Sequence, residues 1–377
     1  MGIKGLNKLI NQYAMTAVSQ KHISEFCGSK VAIDSEILVH KYRSMDSKNS
    51  HIFGFISNIF WHLENGIIPI YVFDGCPNVA KQVNVLSKRF NYREQIGRKM
   101  EELENKFVEQ LDNIDKYPSE DLELNPEINE TLDQLLKIQR KMTFMTVGKN
   151  HRNECKYLLK LMGIPFIVAN EDAEAFCVTL QKKGIADYVY TEDTDIIPYF
   201  IASITDQKPI KILRKGYISS MVTVIDVNEI LRKMNLSPKS FVDMCILSGC
   251  DFCTTISKIG PAKAYIYMLK YHSIENLKSI GICLPEDFKY QDARDIFFRS
   301  HDQHIEKTLD LGEINTNDLK IYLMEERGLN PVPIIDKYHK IYNIFQSKYR
   351  SISRTNIHSD IHSGTHSNVH NNTTIVY

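Results

Sequence analysis

"IIPIYVFD" (Ile67–Asp74) is an uninterrupted apolar run that stops on a carboxylate. A strand with one face in water alternates apolar and polar side chains, whereas a strand covered on both faces is apolar throughout. The run therefore reads as a strand inside a sheet. "KVAID" (Lys30–Asp34), "IPFIVA" (Ile164–Ala169) and "DYVYTED" (Asp187–Asp193) have the same character. Between them, "FGFISNIFWHLENG" (Phe53–Gly66) and "ECKYLLKLMG" (Glu154–Gly163) place apolar residues at helical spacing and each ends on Gly. That alternation predicts an α/β fold, with a mostly parallel central sheet flanked by helices.

The composition agrees. A chain of 377 residues, 43% apolar and 24% charged, can bury a large core and matches a soluble globular protein. No apolar run has the length of a membrane span, and the N-terminus lacks a secretion signal. In "MGIKGL" Leu6 stands where a myristoylation motif needs Ser or Thr. The eight cysteines are scattered through apolar runs, as in an intracellular protein with reduced thiols. Cys250 and Cys253 form a C-x-x-C with no second Cys/His pair at zinc spacing, so they read as incidental thiols.

Net charge is zero, yet the charges are segregated. Lys81, Lys88, Arg89, Arg93, Arg98 and Lys99 face only Glu94 between 81 and 99. An acidic stretch follows from Glu101 to Glu130, and Lys137, Arg140, Lys141, Lys149, Arg152 and Lys156 then restore the positive sign. Apolar residues at helical spacing (Phe107, Leu111, Ile114; Leu132, Leu135, Leu136) predict helices interrupted near Pro118 and Pro126. The stretch reads as a solvated helical insertion, or as a basic surface for phosphates with an acidic far end.

The carboxylates recur at strand ends. Asp34 and Asp74 close their runs, Asp172 and Glu174 follow "IPFIVA", and Asp193 and Asp195 fall in "TEDTD" (Thr191–Asp195). Any one of them could be a helix N-cap. Gathered at the carboxyl edge of one sheet, they would repel each other unless cations intervene, and hard oxygen donors favour Mg²⁺ or Mn²⁺. Two such ions about 4 Å apart can clamp a phosphodiester displacement. "SKIGPAKAYIYMLKYHSIENL" (Ser257–Leu277) adds a Gly-Pro turn flanked by Lys258 and Lys263, with Asp251 just upstream. It reads as a helix–turn–helix hairpin for duplex phosphates.

From Met1 to about Gln346 the chain resembles the flap endonucleases, of the xeroderma-pigmentosum-G-type 5′ nuclease superfamily. "MGIKGLNKLI", "KVAIDSEI", "ENGIIPIYVFDG", "ECKYLLKLMGIPF", "EDAEAFC", "TEDTD", "FVDMCILSGCDFC" and "IGPAKA" occur in the family's order. The resemblance implies a PIN-like nuclease domain over 1–345. Residues 81–152 would form a helical arch between nuclease regions 1–80 and 153–345, and the duplex-binding hairpin would lie around 251–277. Two Mg²⁺ ions, replaceable by Mn²⁺, would bind Asp34, Asp74, Asp172, Glu174, Asp193, Asp195 and Asp251. Lys81 and Arg89 (or Lys88, with a one-residue slip) would contact the scissile phosphate, with Arg93 on the same basic surface. Gly2 would lie beside the active site. Ile256, Ile259 and Gly260 would belong to a K⁺-assisted loop with Lys258 and Lys263. The substrate would be DNA with a single-stranded 5′ flap, selected by shape, and a monomer is expected.

Three departures stand out. Asp172 replaces the family's usual Glu with a shorter side chain. His40 occupies the place of a Tyr that stacks on a template base, and Tyr42 is an alternative platform. Residues 346–377 are Ser/Thr/Asn/His-rich, with His358, His362, His366 and His370 every fourth residue, and read as disordered. No sliding-clamp motif is found there. The composition suggests a divergent relative, such as those of large DNA viruses, acting in the nucleus or at viral replication sites. A Holliday-junction or excision-type nuclease and a catalytically silent DNA-binding scaffold are the other readings.

Overall fold

The computed structural model describes residues 2–43, 48–76, 79–116, 126–144, 148–204, 210–216, 220–305 and 309–362. Some helical side chains lie outside this description, among them Lys88, Arg89, Arg93 and those of 348–362. The strands are β1 (Val18–His22), β2 (Lys30–Asp34), β3 (Ile68–Phe73), β4 (Phe166–Val168), β5 (Tyr188–Tyr190), β6 (Lys211–Lys215) and β7 (Met221–Asp226). They form one sheet of order β1-β7-β6-β5-β2-β3-β4. From β6 to β4 every pairing is parallel, with Ile33 opposite Tyr190 and Tyr71, and Phe73 opposite Val168. β7 pairs antiparallel with both β6 and β1, an extension the sequence reading did not anticipate.

The helices, in chain order, begin with α1 (Leu6–Tyr13), α2 (Ser35–Arg43) and α3 (Ser50–Glu64). Next come α4 (Val79–Lys116), α5 (Pro126–Phe144), α6 (Lys149–Leu161), α7 (Ala173–Lys182), α8 (Ile196–Ala202) and α9 (Val227–Met234). The last are α10 (Pro238–Ser248), α11 (Pro261–Tyr271), α12 (Tyr290–Phe298), α13 (Thr316–Ile321) and α14 (Val332–His362). The sheet has a core on each face because successive side chains of a strand point opposite ways. Ala32, Ile70 and Val72 meet Phe176, Phe200 and Phe241 on one side. Val31, Ile33, Tyr71 and Phe73 meet Phe55, Leu158 and Tyr338 on the other. Burial on both faces is why these strands read as continuous apolar runs. Gly66 and Gly163 stop α3 and α6 at positive φ (73° and 66°), a conformation that other residues adopt at a cost.

α4 packs on α5, burying Leu103 and Thr131. At 38 residues α4 is about 57 Å long, so most of it projects away from the sheet. Pro126 opens α5, where a missing N–H is tolerated. α14 is continuous to His362. A helix anchored by Tyr338, Ile341 and Phe345 propagates more readily than one starting afresh. Residues 363–377, with His366 and His370, lie outside the described residues, as do the side chains of His358 and His362. No helix among the described residues is long and apolar enough to cross a membrane.

One buried histidine makes the fold acid-sensitive. His62 on α3 is fully enclosed, its Nδ1 2.8 Å from the Asn58 carbonyl, and burial pushes its pKa down to about 4. The folded state thus refuses a proton that the unfolded chain accepts below about 6.5. The contribution is fully present above pH 6.5 and is lost as pH falls toward 4, in total roughly 3 kcal/mol. Urea unfolding of the wild type and His62→Gln should converge in stability as pH drops from 7 to 4.5. Parallel pH profiles would count against this assignment.

Candidate active site

Because β2, β3, β4 and β5 run the same way, the residues after them emerge at one edge of the sheet. Asp34 ends β2, Asp74 follows β3, Asp172 and Glu174 follow β4, and Asp193 and Asp195 follow β5. Asp74, Asp172 and Glu174 offer ligand oxygens all within 4.8 Å of one another. Asp34 feels the charges of Asp74 and Asp193, and Asp195 feels those of Asp193 and Asp251. The sequence-predicted carboxylates are therefore joined into one electrostatic group with two lobes.

Backbone and hydroxyl donors fix its members. Thr191 Oγ1 donates to Asp34 Oδ2 (2.9 Å) while accepting from the Asp193 N–H (3.0 Å). The Asp195 N–H donates to Asp193 Oδ1 (3.1 Å), and the Ala173 N–H to Asp74 Oδ1 (2.8 Å). Asp172 and Asp195 occupy the N-cap positions of α7 and α8, but neither side chain caps its helix. The simple capping reading of those two fails, and their carboxylates are available for other work.

Gly75 sets the spacing between the loops after β3 and β4. Its N–H donates to the Glu171 carbonyl (2.8 Å), and a Cβ there would lie 1.9 Å from the Ala169 carbonyl oxygen. Gly75→Ala must therefore push Asp74 away from Asp172. We expect a loss of about 1–3 kcal/mol in stability, as for other overpacked sites, and at least about tenfold in turnover. Turnover equal to wild type would show that the spacing is not critical.

Burial shapes the electrostatics. It raises the Asp34 carboxyl to about 7, helped by Asp74 and Asp193, and the Asp74 carboxyl to about 6, helped by Glu36. Burial likewise holds Glu174 and Asp195 well above the usual carboxylate range. Lys81, in the first turn of α4, is the cation at the centre. Its Nζ is 2.7 Å from Asp172 Oδ1 and 3.8 Å from Glu174 Oε2. Burial opposes its charge, yet Glu174, Asp172 and Asp74 together keep its pKa well above the ordinary lysine value. Glu174 Oε2 and Asp195 Oδ1 are buried without a hydrogen-bond donor among the described residues. Oxygen donors in excess of protons and cations are the set that a hard divalent ion satisfies.

Two further cations were not singled out from sequence. Arg214 on β6 donates from Nη2 to the Asp193 carbonyl (3.2 Å) and from Nη1 to Asn7 Oδ1 (2.9 Å), bracing TEDTD from behind. Arg152 on α6 grips Glu36 with Nε 2.8 Å from both carboxylate oxygens, tying the return of the insertion to α2. Arg152 stood in the basic stretch, and Arg214 is one of three cations in "KILRK" (Lys211–Lys215). Neither pattern reveals a partner so distant in sequence.

The other predicted residues fall around this centre. Gly2 has φ 109°, and a Cβ there would lie 2.4 Å from Asp193 Oδ1, so the position next to TEDTD requires glycine. Asp251 stands in the loop between α10 and α11. Its neighbour Phe252 has the Lys81 Nζ 6.0 Å from its ring centroid. In the same loop the Ile259 N–H donates to the Ile256 carbonyl (3.2 Å), and Lys258 takes a positive φ of 62°. Lys258 and Lys263 are exposed, and a Cβ on Gly260 would meet nothing within 4 Å, which leaves the backbone open to approach. His40 is half-buried on α2. The half-buried Tyr42 ring lies against Gly54 and edge-on to Phe55, packing α2 on α3. The side chains of Lys88, Arg89 and Arg93 lie outside the described residues.

Comparison with known proteins decides the family. The XPG N-terminal domain family matches residues 1–96 and the XPG I-region family matches residues 163–251. The chain is 32% identical over 355 residues to Flap endonuclease 1 of Enterocytozoon bieneusi, covering 89% of each chain. It is 33% identical over 347 residues to Flap endonuclease 1 of Aedes aegypti, covering 88% of this chain and 83% of the relative. The chain belongs to the flap endonuclease family. In this flap endonuclease, Asp34 and Asp74 fall within the first matched region and the other acidic residues within the second. α5 and the projecting part of α4 lie between the two. The fold agrees with solved structures. The catalytic core of Rad2 in complex with DNA substrate has TM-score 0.62 at 20% identity, over 90% of this chain and 99% of that one. Flap endonuclease-1 from Methanococcus jannaschii has TM-score 0.60 at 21% identity, over 89% and 99%.

Proposed function

We propose that this flap endonuclease hydrolyses a phosphodiester at the base of a single-stranded 5′ flap on branched DNA, with two divalent cations, Mg²⁺ or Mn²⁺. The observation that carries this reading is the buried acidic group at the foot of α4, with Lys81 inside it and carboxylate oxygens left over. Asp74, Asp172, Glu174 and Asp34 would hold one cation, and Asp193, Asp195 and Asp251 would contribute to the second. When bound, the ions supply Lewis-acid activation of water and neutralise charge on the leaving oxygen.

The chain's own residues do the rest. Lys81 would donate to a non-bridging oxygen of the scissile phosphate as negative charge accumulates there. Arg89, or Lys88, would add a second donor from the same helix. α4 and α5 would form the arch that admits a single strand and excludes a duplex. The turn Ile256–Gly260 would hold duplex phosphate through backbone N–H groups, with K⁺ on its carbonyl oxygens and Lys258 and Lys263 beside it. His40 would stack at the junction. Recognition is then of backbone and shape rather than of base sequence.

Cleavage of end-labelled double-flap DNA in Mg²⁺ and in Mn²⁺, with Asp193→Asn beside the wild type, tests the proposal. A single cut near the flap base, lost in the variant, is expected. DNA binding without cleavage in either metal would leave the scaffold reading in its place, and cutting only of four-way junctions would favour junction resolution. The hairpin has its own signature. Lys258→Ala and Lys263→Ala should each raise KM for flap DNA and reduce the slope of log affinity against log salt by about one. Unchanged salt slopes would remove both lysines from the interface.

A further inference from the structure

We infer that Tyr199 is the positioning residue that orients the Asp172 carboxylate, and through it sets the affinity of the acidic group for a divalent cation. The inference rests on the reading of Asp172 as a cation ligand. Asp172 is one methylene shorter than its neighbour Glu174, and a short carboxylate has fewer ways to reach a shared ion. Its two oxygens are divided between two donors: Lys81 Nζ approaches Oδ1 at 2.7 Å, and the Tyr199 hydroxyl donates to Oδ2 at 3.1 Å. The phenol thus fixes the rotation of the carboxylate and leaves Oδ1 as the oxygen turned toward Lys81 and the group.

Tyr199 can act this way because it is buried and packed among aromatic rings. It lies on α8, one turn after Asp195, so one short helix presents a carboxylate at its N-cap and the clamp for Asp172 behind it. The ring is enclosed edge-on by Phe297 (4.9 Å between centroids), His301 (5.4 Å) and Phe252 (6.3 Å). Phe252 also lies beneath Lys81, so both donors to Asp172 share one aromatic support. Partners that orient a ligand typically change metal affinity by 10- to 100-fold when removed.

The test is Mn²⁺ titration of the chelator-treated full chain without DNA, with free Mn²⁺ read by electron paramagnetic resonance. Tyr199→Phe deletes only the hydroxyl and should raise the Mn²⁺ Kd about tenfold. Tyr338→Phe, which loses a buried bond to the Met162 carbonyl (2.7 Å) far from the site, should leave Kd within about twofold. Flap cleavage by Tyr199→Phe should show reduced kcat at low Mg²⁺, restored at high Mg²⁺, with KM for DNA unchanged. In Asp172→Glu the added methylene displaces the carboxylate from the phenol, so adding Tyr199→Phe should alter Kd less than about twofold. Wild-type binding of Mn²⁺ with an unchanged Kd in Tyr199→Phe overturns the inference alone. The same holds for an equal loss in the Asp172→Glu background. Failure of the wild type to bind Mn²⁺ overturns the cation-site reading beneath it.

Discussion

Glu174→Gln is expected to abolish flap cleavage while raising the melting temperature of the metal-free protein. Glu174 is buried, carries an oxygen without a hydrogen-bond donor, and sits within 4.8 Å of Asp74 and Asp172 ligand oxygens. Burial, and then repulsion from Asp34, Asp74 and Asp172 against the pull of Lys81, pushes its carboxyl well above the ordinary range. The sign follows from linkage. A carboxyl whose folded-state pKa is raised costs the fold stability as pH climbs from its ordinary value of 4.5 toward the folded one, and the full cost stands at every higher pH. At pH 8, above the values near 7 and 6 for Asp34 and Asp74, the repulsion is strongest. An isosteric amide has no ionisation to oppose and removes that cost at no loss of volume. Differential scanning calorimetry in a chelator at pH 8 should show the variant melting about 2–5 °C higher. Turnover should fall on the order of 10³-fold or more, since the amide is a poorer ligand for a hard cation. Mg²⁺ should raise the wild-type melting temperature and affect the variant less. A variant that melts lower in chelator would mean that the metal-free group is held together by protons and Lys81 rather than strained by repulsion.

Arg294→Met should be the most destabilising single change outside the acidic group. The Asp243 side chain on α10 has no solvent exposure, and Arg294 on α12 meets it with two bonds of 2.7 Å. The same guanidinium reaches Glu275 at 2.6 Å, and Asp243 also accepts the Ile274 N–H at 3.1 Å. Burial raises the Asp243 carboxyl even with Arg294 beside it. Removing the guanidinium leaves that carboxyl to be protonated or to bury an unpaired charge, which typically costs about 3–5 kcal/mol. Urea unfolding at pH 7 gives the number, and a loss under about 1 kcal/mol would exclude a buried pair. The double variant Asp243→Leu/Arg294→Met should recover much of it, because an apolar pair of similar volume carries no desolvation penalty. α10 and α11 flank the loop of Asp251 and Gly260, so Arg294→Met should also raise KM for flap DNA.

The central sheet could be read from the chain because strands covered on both faces leave nothing polar to obscure them: "IIPIYVFD" and "KVAID" needed no partner to be recognised. Glycines at positive φ marked where α3 and α6 stop, and carboxylates after β2, β3, β4 and β5 marked the edge that carries the site. Strands β6 and β7, which pair antiparallel with each other, escaped notice, since "KILRK" and "MVTVID" mix polar and apolar residues as half-covered strands do. The helix running to His362 also went unread, because its stability comes from Tyr338, Ile341 and Phe345 packing against distant segments.

The sequence by itself determined that the strands β2 to β5 are covered on both faces and on which side of the sheet the acids gather. Local patterns encode those properties, because burial and helix termination act within a few residues. Only the tertiary structure decided how the acids are held: Lys81 beside Asp172, Arg214 behind Asp193, Thr191 between Asp34 and Asp193, and Tyr199 against Asp172. Except where the chain turns back within TEDTD, these pairs join residues far apart in sequence, and a carboxylate's partners depend on distances of a few ångströms that no local pattern specifies. It also set the half-buried Tyr42 ring edge-on to Phe55, where it packs α2 on α3.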